Sequence, residues 1–144
     1  MPRGFTLLEL MLVMALLAAS VLLTAPLGID FLQAQKLDET ASEIISELRR
    51  AHSQSVFQKN DSAFGVKFLS SSYVLFQGNS YDNRIQNNDE RFILPTFMVV
   101  NGINEVVFSK LTGRPSVTGV ISVVLRNKNK NIIINEGGVV EKQQ

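Results

Sequence analysis

Cysteine is absent from this chain, which excludes a disulfide framework, a thiolate metal site and a cysteine nucleophile. Histidine is nearly absent. With His52 alone there is no histidine cluster to ligate a metal, and no Ser, His and Asp set falls at a spacing that supports nucleophilic catalysis. The chain therefore reads as a non-enzyme that carries neither a cofactor nor a metal ion. An excess of one charge is lacking too: Lys+Arg 14 against Asp+Glu 13 leaves a net charge of +1, too even to indicate a nucleic-acid binder or an acidic scaffold. Only 8% of the residues are aromatic although 45% are hydrophobic, and the apolar residues gather at the N-terminus. In 144 residues there is room for one domain of ordinary size besides that segment.

What the chain does have is a long apolar run. From Leu7 to Ile29 every residue except Glu9, Ser20, Thr24 and Pro26 is apolar or glycine. A helix from Phe5 to Ile29 is about 37 Å long at roughly 1.5 Å per residue, enough to cross a hydrocarbon core of about 30 Å. A cleaved secretory signal places a small-residue cleavage site after a short apolar stretch. Here the stretch is long and Gly4 precedes it. Arg3, on the N-terminal side, favours a cytoplasmic N-terminus with the C-terminal residues outside. Glu9 stands out, because an ionised carboxylate inside a spanning helix costs on the order of 3 kcal/mol unless it finds a partner. Either Glu9 lies at the interface and reaches the headgroups, or it pairs. Pro26 interrupts the helical hydrogen-bond ladder and predicts a break or kink, although prolines are also tolerated in membrane helices.

Beyond Ile29 the pattern turns amphipathic. Leu37, Ala41, Ile44, Leu48 and Ala51 recur every three or four residues, with Glu39, Glu43, Glu47 and Arg50 largely elsewhere on the helix. Glu47 and Arg50 are spaced to pair weakly, and Gln58 to Ser62 reads as the helix end. The apolar runs that follow read as strands: Phe64 to Leu69, Tyr73 to Phe76, Phe92 to Leu94, Phe97 to Val100, Val106 to Phe108, Val120 to Leu125 and Ile132 to Ile134. Ser70 to Ser72, Gly78 to Ser80, Asn101-Gly102 and Arg126 to Asn131 read as turns between them. The expected fold class is α+β, with a long N-terminal helix packed through its amphipathic half on the single surface of a mostly antiparallel sheet.

Gly4-Phe5-Thr6-Leu7-Leu8-Glu9 followed by a long apolar run resembles the processing signal of type IV pilins and type II secretion pseudopilins. The resemblance implies a leader at 1–4, cleavage between Gly4 and Phe5 by prepilin peptidase, and methylation of the new Phe5 amine. It implies a transmembrane and assembly helix at 5–29, an amphipathic continuation at 30–58 and a globular β head at 59–144, the pilin fold. Glu9 pairs in this scheme with the Phe5 amine of a neighbouring subunit and sets the axial register. Pro26 is the helix breaker that pilins commonly carry in this neighbourhood. Partners implied are other pilins or pseudopilins, the peptidase, the inner-membrane assembly platform and, before assembly, membrane lipid. The location is the cytoplasmic membrane, single-pass, with the head periplasmic, and then the pilus or pseudopilus.

In the head, Leu48 to Val56 is similar to the end of the long helix in GspH/FimT-type minor pseudopilins. So are Val107-Phe108, Gly113-Arg114-Pro115, Gly119-Val120-Ile121 and Ile132 to Val139. The missing cysteines exclude a major-pilin disulfide loop and favour a minor subunit. A DNA-uptake pseudopilin that binds DNA or another partner at the fibre tip is the alternative, with Arg126, Lys128 and Lys130 as candidate phosphate contacts. DNA-binding FimT-like relatives carry Gly-Arg-any-Arg near the C-terminus, whereas this chain has Gly137-Gly138-Val139-Val140 there. An unrelated single-pass protein that keeps its leader is a further reading. Tyr81 to Asn83 with Asn87 to Glu90 offers oxygens for calcium but matches no calcium motif, and it reads as a solvated loop. His52 reads as a partly buried histidine on the helix face.

Overall fold

The computed structural model describes residues 4–143, of which 21–28 are described by backbone alone. One helix, α1 (Leu7–Val56), is followed by β1 (Phe64–Phe68), β2 (Ser72–Gln77), β3 (Glu90–Ile93), β4 (Met98–Gly102), β5 (Glu105–Phe108), β6 (Gly119–Leu125), β7 (Lys128–Ile134) and β8 (Val140–Lys142). The fold is α+β. The chain divides into two compact units, Met1–Gln35 and Lys36–Gln144, so the amphipathic half of α1 groups with the strands. Residues 1–3 of the expected leader lie outside the described residues, and at Pro26, where a break is expected, only the backbone is described, within α1.

The helical spacing read from Leu37 to Ala51 is the packing face: Leu37, Ala41, Ile44, Leu48 and Ala51 are all at most 1% exposed. One turn further, the buried Ser55 hydroxyl donates to the Ala51 carbonyl at 3.0 Å and accepts from the Phe64 amide at 2.9 Å, which ties the helix end to β1. Gln58 then takes a left-handed conformation, φ 54°, and a 3-10 turn at Lys59–Asp61 leads into the first strand.

The strands form two four-stranded sheets rather than the expected one. Their orders are β3-β2-β1-β5 and β4-β6-β7-β8, and every pairing is antiparallel. Inward residues of both sheets, among them Val66, Phe108, Ile121 and Ile132, join Ile44 and Leu48 of α1 in one cluster, so the helix covers a surface built by two sheets. The single surface read from the sequence is corrected on this point, because strand order across sheets leaves no mark on period-2 patterning.

Local departures have local reasons. Arg126 to Asn131 is not one long turn: only Arg126-Asn127 turns, with Arg126 at φ 53°, and Lys128 to Asn131 pair along β6. Asn101-Gly102 ends β4 instead of forming a separate turn, and Phe97 precedes that strand in a left-handed conformation, φ 65°. β8, unread from the sequence, is held from both sides. It pairs with β7, and the Arg49 guanidinium donates twice to the Val140 carbonyl, at 2.8 and 3.2 Å. Lys142 of β8 and Lys130 of β7 both reach Asp38 on α1, and the Lys142 hydrogen bond lowers the Asp38 pKa. Arg50 bridges Glu47 at 3.2 Å and Glu90 at 2.5 Å, which lowers the Glu90 pKa in the same way. Both carboxylates stabilise the fold above their ordinary range, and that contribution drains away as pH falls through their lowered values.

Two buried side-chain oxygens lack a hydrogen-bond partner among the described residues, the Tyr73 hydroxyl and one carboxylate oxygen of Asp89. Tyr73 is 1% exposed, its ring stacked on Phe92 at 4.9 Å, yet no hydrogen bond of good geometry reaches its hydroxyl among the described residues. Burial raises its pKa, helped by Glu43 across on α1. Because Phe keeps the stacking and removes the unsatisfied hydroxyl, Tyr73→Phe is expected to hold or raise stability by about 1 kcal/mol. A clear fall in the thermal midpoint would show that the hydroxyl is bonded in solution.

Candidate assembly site

The first unit begins with Gly4, Phe5 and Thr6 outside the helix and α1 starting at Leu7. Thr6 is the N-cap. Its hydroxyl accepts from the Glu9 amide at 3.2 Å and its carbonyl from the Leu10 amide at 3.2 Å. Thr6-Leu7-Leu8-Glu9 is thus the Thr-x-x-Glu spacing of a capping box, a signal present in the sequence but not read there. Glu9 lies in the first turn, where the positive end of the helix dipole favours a carboxylate. That carboxylate is solvent-exposed and has no side-chain partner among the described residues.

Around Glu9 the helix is apolar in every direction. Phe5, Leu7, Leu8, Leu10, Met11 and Met14 are all more than 60% exposed, with Phe5 at 84%. A soluble surface helix keeps a polar face, whereas one that is apolar all round is covered by something else. Among the described residues, which omit the side chains of 21–28, no helix is long and apolar enough to cross a membrane. A side chain added at Gly4 would meet nothing within 4 Å among the described residues, so none of them requires glycine there.

The remaining candidates are placed apart from this end. His52 is half-buried, its ring edge-on to Phe108 at 5.4 Å, in a notch made by Gly113 and Gly138. Sequence reasoning missed that notch, although it quoted both glycines. Lys128 and Lys130 alternate with Asn129 on the same face of β7 as the buried Ile132 and Ile134, and Lys130 is 3.6 Å from Asp38. Arg126 lies over the Phe97 ring at 5.7 Å. The structure therefore does not bring the three cations together as one outward patch. In the loop read against calcium, Asp89 pairs with Arg84 at 2.7 Å, and the Arg84 guanidinium lies 3.7 Å from the Tyr81 ring. Among the described residues no three His, Asp or Glu side chains converge as a metal site would need.

Residues 2–25 match the prokaryotic N-terminal methylation motif. No curated protein sequence matches the chain. Among solved structures, the minor pseudopilin EpsH from the type 2 secretion system of Vibrio cholerae shares the fold, with a TM-score of 0.60 and 9% sequence identity over 75% of this chain and 96% of that one. The chain thus carries a prokaryotic N-terminal methylation motif and has the fold of a minor pseudopilin.

Proposed function

We propose that the chain is a minor pilin or pseudopilin, a non-enzymatic structural subunit of a type II secretion pseudopilus or a type IV pilus. It is cut between Gly4 and Phe5, methylated on Phe5 and polymerised through the N-terminal half of α1. The observation that carries this reading is the all-round exposed apolar helix start with a carboxylate, Glu9, in its first turn that has no side-chain partner among the described residues. Two environments suit such a surface in turn: the inner membrane as a single pass with the N-terminus cytoplasmic and the head periplasmic, and then the dry centre of a fibre. Other pilin-like subunits, prepilin peptidase and the assembly platform are its partners.

Processing tests the reading. Since none of the described residues requires glycine at position 4, its proposed role is to let the backbone enter a protease cleft. Gly4→Trp is expected to leave the leader attached in cells that carry the peptidase, with the head folded as in the parent. A variant trimmed as completely as the parent would remove the motif from the account.

A further inference from the structure

Four strands end the two sheets, and three of those edges are guarded. β5 is covered by the segment around Pro115: Phe108 bridges to Pro115, the Ser109 amide donates to the Arg114 carbonyl, and the Ser116 amide donates to the Val107 carbonyl. β8 is only three residues long, with its Val140 carbonyl taken by Arg49 and Lys142 held by Asp38. β3 carries Glu90 and Arg91 and runs into Pro95. Charge, brevity, proline and covering loops are the devices that keep natural sheet edges from pairing with other chains.

β4 has none of them along 99–102, although the Met98 amide at its start donates to the Pro95 carbonyl at 3.1 Å. Met98–Gly102 is five residues long, uncharged and without proline, and among the described residues no backbone hydrogen bond from outside its sheet reaches 99–102. Phe97, directly before it, is 72% exposed, and Val99 is 44% exposed. A cleft of about 490 Å³ runs along this edge, between Val99 to Asn101 on one side and Phe68 to Ser70 at the end of β1 on the other.

Charge marks one end of the edge. Met98 pairs with Leu125, which puts the next residue, Arg126, at the Phe97 end, over that ring. Arg126 has no acidic partner among the described residues, whereas Lys67, beside the cleft, is paired with Glu105 at 3.2 Å.

We propose that β4 is a strand-addition edge that takes an extended, uncharged peptide segment of a partner protein, with an acidic residue at the end that meets Arg126. Open main-chain donors and acceptors at strand spacing are matched by another extended backbone and by neither a helix nor a nucleic acid. The cleft receives alternate side chains of the added strand, and Arg126 sets its direction through charge.

The test uses the full chain in detergent micelles and, as probe, an acetylated peptide of alternating valine and threonine, about eight residues long to match a strand, with two glutamates at one end. The peptide is expected to slow amide hydrogen exchange over residues 98–102 by about tenfold or more at saturation. Val99→Lys and Phe97→Glu, both at exposed positions, are expected to abolish that protection while leaving the thermal midpoint unchanged. Replacing the glutamates by lysines is expected to weaken binding several-fold, and Arg126→Glu to reverse the preference. Protection at β3, β5 or β8 instead, or none at all, would overturn the proposal. So would protection of 98–102 that grows with protein concentration without peptide, which would make a second copy the occupant.

Discussion

Glu9→Ala is expected to cut incorporation of this subunit into fibres by about two orders of magnitude, with the head's thermal midpoint unchanged. In the proposed processing, cleavage after Gly4 would leave a cationic amine on Phe5, four residues from the Glu9 carboxylate. Buried together between adjacent helices of the proposed fibre, the two would compensate each other. Removing the carboxylate would strand the amine in a dry bundle, which costs roughly 3–5 kcal/mol, or about two to four orders of magnitude in an equilibrium constant. The competing explanation is the capping box, since Glu9 also occupies the third helical position after Thr6. Thr6→Ala separates the two, because it removes the cap bond at about 1 kcal/mol and leaves the charge in place. Fibre counts that fall equally for both variants would assign Glu9 to capping rather than to pairing.

Gly138→Ala is expected to lower the head's stability by about 3 kcal/mol or more, adding left-handed strain to overpacking, and its thermal midpoint by about 15 °C. Gly138 sits at φ 77°, and a methyl group there would lie 2.4 Å from the Gly113 carbonyl and 2.6 Å from the His52 ring. The ring can give way; the carbonyl is backbone and cannot. His52→Ala in the same chain is therefore expected to recover only part of the loss. Gly137→Ala is the matched control, since its methyl group would meet only the Asn135 side chain at 3.5 Å, and it is expected to be nearly neutral. Equal midpoints for the two alanine variants would mean that the Gly113–Gly138 contact does not exist in solution.

Much of the fold was legible because it follows from periodicity. Leu37, Ala41, Ile44, Leu48 and Ala51 were read as one helix face and are buried as one, and each of the seven apolar runs read as a strand supplies the centre or an end of one of β1 to β7. Three features had no periodic signature. β8 offers only Val140 between polar neighbours, and its place is fixed by β7 and by Arg49, both distant in sequence. Lys128 to Asn131 have turn-like composition, yet seven cross-strand pairs with β6 hold β7 in the sheet, so tertiary context overrides propensity. The split into two sheets depends on which strands pair, which alternation along one strand cannot encode. At the candidate site the residues were legible one by one, since Gly4, Phe5 and Glu9 stand in a compact motif. The Thr6 cap went unread because the same glutamate already had a reason to be there. The notch around His52 joins three segments, which only the fold brings together.

The N-terminus of the protein itself, measured by mass spectrometry on material purified from native membranes together with the proteins that accompany it, is the most direct test of the proposed processing. A chain that begins at Phe5, carries a methyl group on its amine and travels with other pilin-like subunits is the predicted result. A chain that retains Met1 to Gly4 in cells with an active prepilin peptidase would contradict it.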